Sequence, residues 1–364
     1  MQASNAPSKS SIPFAESGTK NVIPEASQIS LKPGAASFID GFPPLTMTPL
    51  AAGGVPPTGA DFNGILNFLS SAIRWGQAGG GYKYDAVFAA AIGGYPKGAI
   101  LMRSDFTGHW LNTVESNRSD PDTGGAGWKN GMAGVLLRTS VYRIISGLQQ
   151  VSVDGGAFTS LGGTTFSTVA QTTRTDVEII SGGGGGGGTE ANGAGARSTG
   201  AGGGAGGYGR SIFSGSLSSI PITVGAGGVG GLATGAGSGG MGGSTSFGTL
   251  LIAAGASGGA KGLTSTGFPL MIFGGTGGFS TLANVVSARG GNGDYGLALS
   301  AVHGVGGSGG ASILGAGGGR TAITAGDDAL TPGGGGGGAA AAPSTGGFSG
   351  GAGAPGLIVV REYA

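Results

Sequence analysis

Apolar residues change their spacing twice along this chain, near residue 83 and again near residue 181. In the first stretch, 1–82, the periodic run is Asp61 to Gly76. There Phe62, Ile65, Leu66, Leu69 and Ile73 fall on one face at helical spacing. Asp61 is the expected N-cap, and Gly76 with the Gly79–Gly81 run stops the helix. Around it Pro24, Pro33, Pro43, Pro44, Pro49, Pro56 and Pro57 forbid long helices and central strands. The chain there is expected to run extended and to gain order by lying on something else. Two readings of the apolar helix face follow: an ordinary core helix, or a short self-associating helix around a symmetry axis.

The second stretch, 83–180, reads as small β modules. Ala99–Met102, Trp110–Val114, Val135–Leu137, Val141–Ile145 and Gln150–Val153 are strand-like. Ser104–Gly108, Asp120–Gly125 and Asp154–Gly156 are the turns and loops between them. The third stretch, 181–364, alternates glycine runs with short apolar segments such as 267–273 and 281–286. Val177–Ile180 and Leu357–Val360 border it as apolar strands, and the two are expected to pair and close one domain. The fold class is therefore mainly β with one short N-terminal helix.

Composition decides what the glycine runs do. Of 89 glycines, 25 lie in residues 1–180 and 64 beyond, and there are 16 prolines. Such a bias points towards disorder. Against it stand a mean hydropathy of +0.20 and a charged fraction of 10%. Collagen is excluded, because glycine does not keep every third place. Ordering a glycine costs more backbone entropy than ordering any other residue, and a run such as Gly182–Gly188 has no side chains to bury in return. Backbone packed on backbone is the ordered alternative to a flexible linker. Polyproline-II-like geometry, at about 3.1 Å per residue, suits it. Phe213, Phe247, Phe268, Phe273 and Phe279 between the runs favour that ordered reading over a linker.

The remaining chemistry is sparse. A net charge of +1 gives no field for nucleic acid, and no run of about 18 apolar residues would insert in a membrane. Zero cysteines exclude disulfides and thiolate metal sites. Met1–Ser10 lacks the order of a signal peptide, so the chain is expected to be made in the cytoplasm without an export label. His109 and His303 stand far apart without close acidic partners, which argues against a metal. Asp120 with Asp122, and Asp327 with Asp328, sit beside Pro or Gly and read as turn formers rather than as a glycosidase pair or a calcium site. The GxGxxG match at 225–230 follows from local glycine density, and no Walker lysine accompanies it. No cofactor and no enzymatic activity are expected.

Two stretches carry a resemblance. IPFAESGTKNVIPEASQISLKPGAASFIDGFPPLTMTPLAAGGVPPTGADFNGILNFL, continued by AAAIGGYPKGAIL and HWLNTVESNRSDPDTGGAGW, resembles the attachment region of bacteriophage tail fibres. VEIISGGGGGGG, GAGGGAGGYG, ITVGAGGVGG, GGSTSFG and GAPGLIVV are similar to the glycine-rich domain at the distal end of many such fibres. The resemblance implies an elongated homotrimeric fibre in the virion, with 1–82 as the tail-attachment region, 83–180 as neck or shaft, and 181–364 as the distal receptor-binding domain. Its implied partners are itself, tail-tip or baseplate proteins, and a bacterial surface receptor: a polysaccharide, a pilus or an outer-membrane protein. The candidate receptor contacts, aromatic and basic residues between the glycine runs, are Tyr208, Arg210, Phe268, Phe273, Phe279, Tyr295, His303 and Arg320. The alternative reading is a glycine-rich structural or cell-surface protein without a receptor-binding role. A depolymerase would need a long repetitive β-helix and a pair of acids in a groove, whereas the chain has no repetitive shaft and its paired aspartates read as turn formers.

Overall fold

The computed structural model describes residues 6–131, 133–160, 163–235 and 237–364. The chain divides into two compact units, Met1–Gly131 and Met132–Ala364. The expected middle stretch, 83–180, is thus shared between them.

In the first unit, helix α1 spans Gly59–Gln77. Asp61 is not its N-cap. Thr58 is, in extended conformation, and its hydroxyl accepts the Asp61 N–H at 3.2 Å. Asp61 lies three residues on, buried, with its carboxylate accepting Asn21 Nδ2 at 2.7 Å and the Ala36 N–H at 3.2 Å. A carboxylate facing these donors serves tertiary structure better than it would serve the cap. A second helix, α2 (Ala86–Ala91), was not expected in a β region; Asp85 caps it by accepting the Phe88 N–H, and four of its six residues are alanine.

The polar side of α1 is the covered side. An extended arm runs antiparallel to it: Asn63 Nδ2 donates to Thr19 O, Asn67 Nδ2 to Phe14 O and Arg74 to Ser11 O, at 2.7, 2.7 and 2.9 Å. Gly64 lets the arm approach, since a Cβ there would meet Asn21 O at 2.1 Å. The apolar side stays largely open, with Phe42 packed against Phe62 at its start, ring centroids 4.7 Å apart. Phe62, Leu66, Leu69 and Ile73 are 47%, 42%, 49% and 61% exposed. Beyond the helices, β1 (Ile100–Met102), β2 (His109–Asn112) and β3 (Trp128–Asn130) form an antiparallel sheet in that order. Ala89, Tyr95 and Leu101 make its small core.

The second unit contains sixteen short strands among its described residues. They are β4 (Leu136–Ile145), β5 (Leu148–Val153), β6 (Thr165–Phe166), β7 (Arg174–Ile180), β8 (Ser198–Thr199), β9 (Tyr208–Ser214), β10 (Ile220–Thr223) and β11 (Thr245–Phe247). There follow β12 (Leu251–Ala253), β13 (Leu270–Ile272), β14 (Ser280–Thr281), β15 (Val286–Ala288), β16 (Gly296–Ala298), β17 (Gly304–Val305), β18 (Ala340–Ala341) and β19 (Leu357–Tyr363). The fold is mainly β. Strand β19 lies between β7 and β4 in a six-stranded sheet ordered β15-β9-β7-β19-β4-β5. The two apolar border strands pair antiparallel, Ile179 opposite Ile358 and Val177 opposite Val360. Alternate residues of this sheet, among them Tyr142, Val151, Val177, Ile179, Ile358 and Val360, face Phe166, Ile222, Phe247 and Leu251 of the five-stranded sheet β14-β12-β11-β10-β6. That sandwich is the unit's hydrophobic core.

The glycine runs form a second, side-chain-free core. From Gly182 to Gly188, successive N–H groups donate to three neighbouring segments in rotation. Gly182, Gly185 and Gly188 donate to Gly243, Gly240 and Gly237; Gly183 and Gly186 donate to Ala354 and Gly351; Gly184 and Gly187 donate to Gly204 and Ala201. Their carbonyls accept from three further segments, 256–262, 228–231 and 336–339, in the same rotation. A partner that recurs every third residue is the repeat of polyproline II. Six backbone neighbours thus surround one glycine helix.

Each N–H and each C=O of this run is satisfied, at roughly 1 kcal/mol net per hydrogen bond, which offsets part of the ordering entropy. Close packing explains the composition. A Cβ on Gly183, Gly184, Gly185 or Gly186 would lie 2.0, 2.1, 2.0 or 1.9 Å from a carbonyl oxygen of a neighbouring segment. Residues 200–206 repeat the arrangement, donating in turn to 333–339, 257–260 and 291–294.

Candidate functional site

Loops leave the glycine bundle between its segments, and one group of them is built on the small sheet β13-β16-β17. Phe268 and Phe273 flank β13, Tyr295 precedes β16 and His303 precedes β17. Leu270 pairs with Ala298 and Ile272 with Gly296, while Gly304 pairs with Ala298. The register therefore sets Phe273 and Tyr295 at one end of the sheet, and Phe268 and His303 at the other. Phe273 and Tyr295 meet edge to face with ring centroids 5.6 Å apart, and both are more than half exposed. Two rigid aromatic faces held against each other in water are a low-entropy contact surface.

Beside them, Asp294 accepts the Ser308 hydroxyl at 2.5 Å and Arg320 at 2.9 Å. The Ser308 hydrogen bond first, and Arg320 second, hold its carboxyl below the usual carboxylate range. At the other end, the His303 Nδ1 lies 3.2 Å from Ser300 Oγ, which also accepts the His303 N–H. His303 borders a cavity of about 340 Å³ whose walls include Leu297, Leu299, Val302 and Ile323, with Arg197 in its lining. Leu299, Val302 and Ile323 are at least half exposed, so this cavity has an apolar rim open to solvent.

Tyr208 and Arg210 stand apart from this group, in strand β9. Arg210 makes a two-pronged pair with Asp176, Nε to Oδ1 at 2.9 Å and Nη2 to Oδ2 at 2.5 Å, which raises its pKa further. The Tyr208 hydroxyl donates to Glu178 at 3.1 Å; burial, then the Glu178 charge, pushes its pKa up to about 12. Glu178 also pairs with Arg361 at 2.5 Å. These polar groups tie β7, β9 and β19 together across the sheet. Phe279, half exposed, sits just before β14 in the other sheet. The structure thus gathers Phe268, Phe273, Tyr295, His303 and Arg320 around β13, β16 and β17, and leaves Tyr208, Arg210 and Phe279 elsewhere.

Sequence reasoning passed over Asp294, Leu299, Val302 and Ile323, because single apolar or acidic residues among glycines carry no periodic signal. It also passed over Arg197, which no sequence pattern marks. The paired aspartates serve turns and backbone: Asp120 accepts the Asp122 N–H at 2.9 Å, and Asp328 accepts the Ala352 N–H at 2.6 Å.

In a comparison with curated proteins no match was found. A family model described as a glycine-rich domain matches residues 159–363, a span that takes in the glycine bundle and most of the sandwich around it. The chain belongs to this glycine-rich domain family.

Proposed function

We propose that the chain is a bacteriophage tail fibre. It mounts on the tail tip or baseplate through its N-terminal region and binds a receptor on the bacterial surface through loops of the glycine-rich domain. The observation that carries this reading is the division of labour in the second unit. A bundle with obligatory glycines cannot change, while the loops that leave it hold exposed aromatic and aliphatic side chains around β13, β16 and β17. A fixed scaffold with variable loops is the design of recognition domains. Binding rather than catalysis is the role given to Phe273, Tyr295, His303 and Arg320.

The homotrimer belongs to the same proposal. The exposed residues Phe62, Leu66, Leu69 and Ile73 of α1 follow a four-three-four spacing, the seam of a coiled coil, and the chain's own arm lies along the adjoining polar flank. A helix with its polar side covered and its apolar side open suits association with copies of itself.

Antibody against the glycine-rich domain, applied to purified phage particles and to bacterial envelopes, tests the reading. Label on particles supports a fibre, and label on envelopes alone supports the structural cell-surface protein instead. Exchanging loops 260–273 and 294–303 with those of a relative that infects another host is expected to move adsorption to that host. Unchanged host range after both exchanges would remove the recognition role from these loops.

A further inference from the structure

Arg197 is 1% exposed, and among the described residues no carboxylate pairs with it. Its guanidinium meets backbone carbonyls instead: Nη2 donates to Gly304 O and Ala322 O, both at 2.7 Å, and Nη1 to Ala301 O at 3.5 Å. Its backbone exchanges two hydrogen bonds with Ser265, at 2.9 and 3.0 Å. One residue therefore grips three separate loops, at 265, at 301–304 and at 322. A buried cation without a counter-charge is unfavourable unless several dipoles converge on it, and here the loops supply those dipoles. The loops are seated closely on it, since a Cβ on Gly304 would lie 2.6 Å from Arg197 Nε. The same three loops carry Phe268, His303 and Arg320.

We propose that Arg197 is the positioning residue of the recognition surface, holding these three loops in a single arrangement from beneath. Its planar fork reaches carbonyls of two loops at once, which a lysine ammonium cannot reproduce. The consequence for binding rests on the receptor-binding reading above; the positioning itself does not.

The test is hydrogen exchange and cell binding of the full chain with Arg197→Lys, and with Gly304→Ala as a second variant that disturbs the same seat without removing the cation. The Leu299 and Ser300 amides bond to His303 O, at 2.8 and 3.1 Å, and report on the loop. They are expected to exchange at least tenfold faster in both variants, while the amides of Gly184–Gly187 keep their protection. Unchanged exchange at Leu299 and Ser300, or equal loosening of Gly184–Gly187, would overturn the positioning role. If the loops loosen and the glycine run holds, binding to host cells is expected to fall at least tenfold. Unaltered binding in that case leaves Arg197 as the loop anchor and overturns the recognition role of the loops.

Discussion

Arg138 closes on Glu362 across adjacent strands, β4 and β19, and Glu362 is wholly buried two residues from the end of the chain. The other carboxylate oxygen accepts the Val169 N–H at 2.8 Å and the Thr172 hydroxyl at 3.1 Å. A buried carboxylate so surrounded fixes where β19 stops and where 167–172 crosses the sandwich. Arg138→Met leaves that charge uncompensated and is expected to lower the stability of the second unit by about 3 kcal/mol, as for broken buried pairs generally. Urea unfolding measures it, and a loss below about 1 kcal/mol would mean that Val169 and Thr172 suffice.

The glycine core allows a sharper comparison. Gly185→Ala places a methyl 2.0 Å from Val229 O, with no side chain nearby that could yield, whereas Gly193→Ala meets nothing within 4 Å. The first is expected to cost about 3 kcal/mol or more, or to prevent folding. The second is expected to stay within about 0.5 kcal/mol. Thermal unfolding of the two variants side by side decides the matter, and equal tolerance would contradict the packing described for 182–188.

Acid should release the N-terminal arm. Burial alone would raise the Asp61 pKa, but hydrogen bonds from Asn21, the Ala36 N–H and Thr58 outweigh it and hold the carboxyl below its ordinary value. A depressed folded-state pKa means stabilisation that is fully present above the unfolded value of about 3.9 and is lost as pH falls through the folded one. The Asn21 amide resonances are therefore expected to shift in that acidic range, in step with loosening of the arm. Asp61→Asn should abolish the titration. A wild-type arm indifferent to pH down to 2 would sink the idea.

Self-association through α1 predicts a charge-reversible assembly. Leu69→Lys with Ile73→Lys sets ammonium groups on the open seam, where neither side chain is buried within its own chain. Wild-type chain is expected to sediment as a trimer and the double variant as a monomer, with the unfolding midpoint of the second unit unchanged. A monomeric wild type at tens of micromolar would remove the seam's proposed role.

Much of the sandwich was legible because strands announce themselves through side chains. Val177–Ile180 and Leu357–Val360 are apolar runs at the two borders, and their pairing needs no more than that. The α1 helix was legible for the same reason, but its cap was not: Asp61 and Thr58 both suit an N-cap, and the arm's donors decide between them. The glycine bundle was legible as a packing principle and illegible as a topology. Its neighbours are chosen by backbone hydrogen bonds, so no residue type marks Gly240 or Gly351 as the partner of Gly185 or Gly186. At the candidate site, exposed aromatics could be picked out singly, while their grouping depended on the register of β13, β16 and β17. Arg197 was invisible because its partners are carbonyls, which every residue has.

The threefold rotation of partners in Gly182–Gly188 also restricts how such a gene can change in length. Inserting one residue into a glycine run would turn everything after it by a third of a revolution, so that each amide faces the wrong neighbour. Inserting three restores the azimuth and merely slides the run along its groove. Loops between runs carry no such rule. Insertions and deletions within glycine segments of relatives are therefore expected in multiples of three codon units, while the connecting loops drift freely in length, which leaves a reading of the bundle in alignments alone.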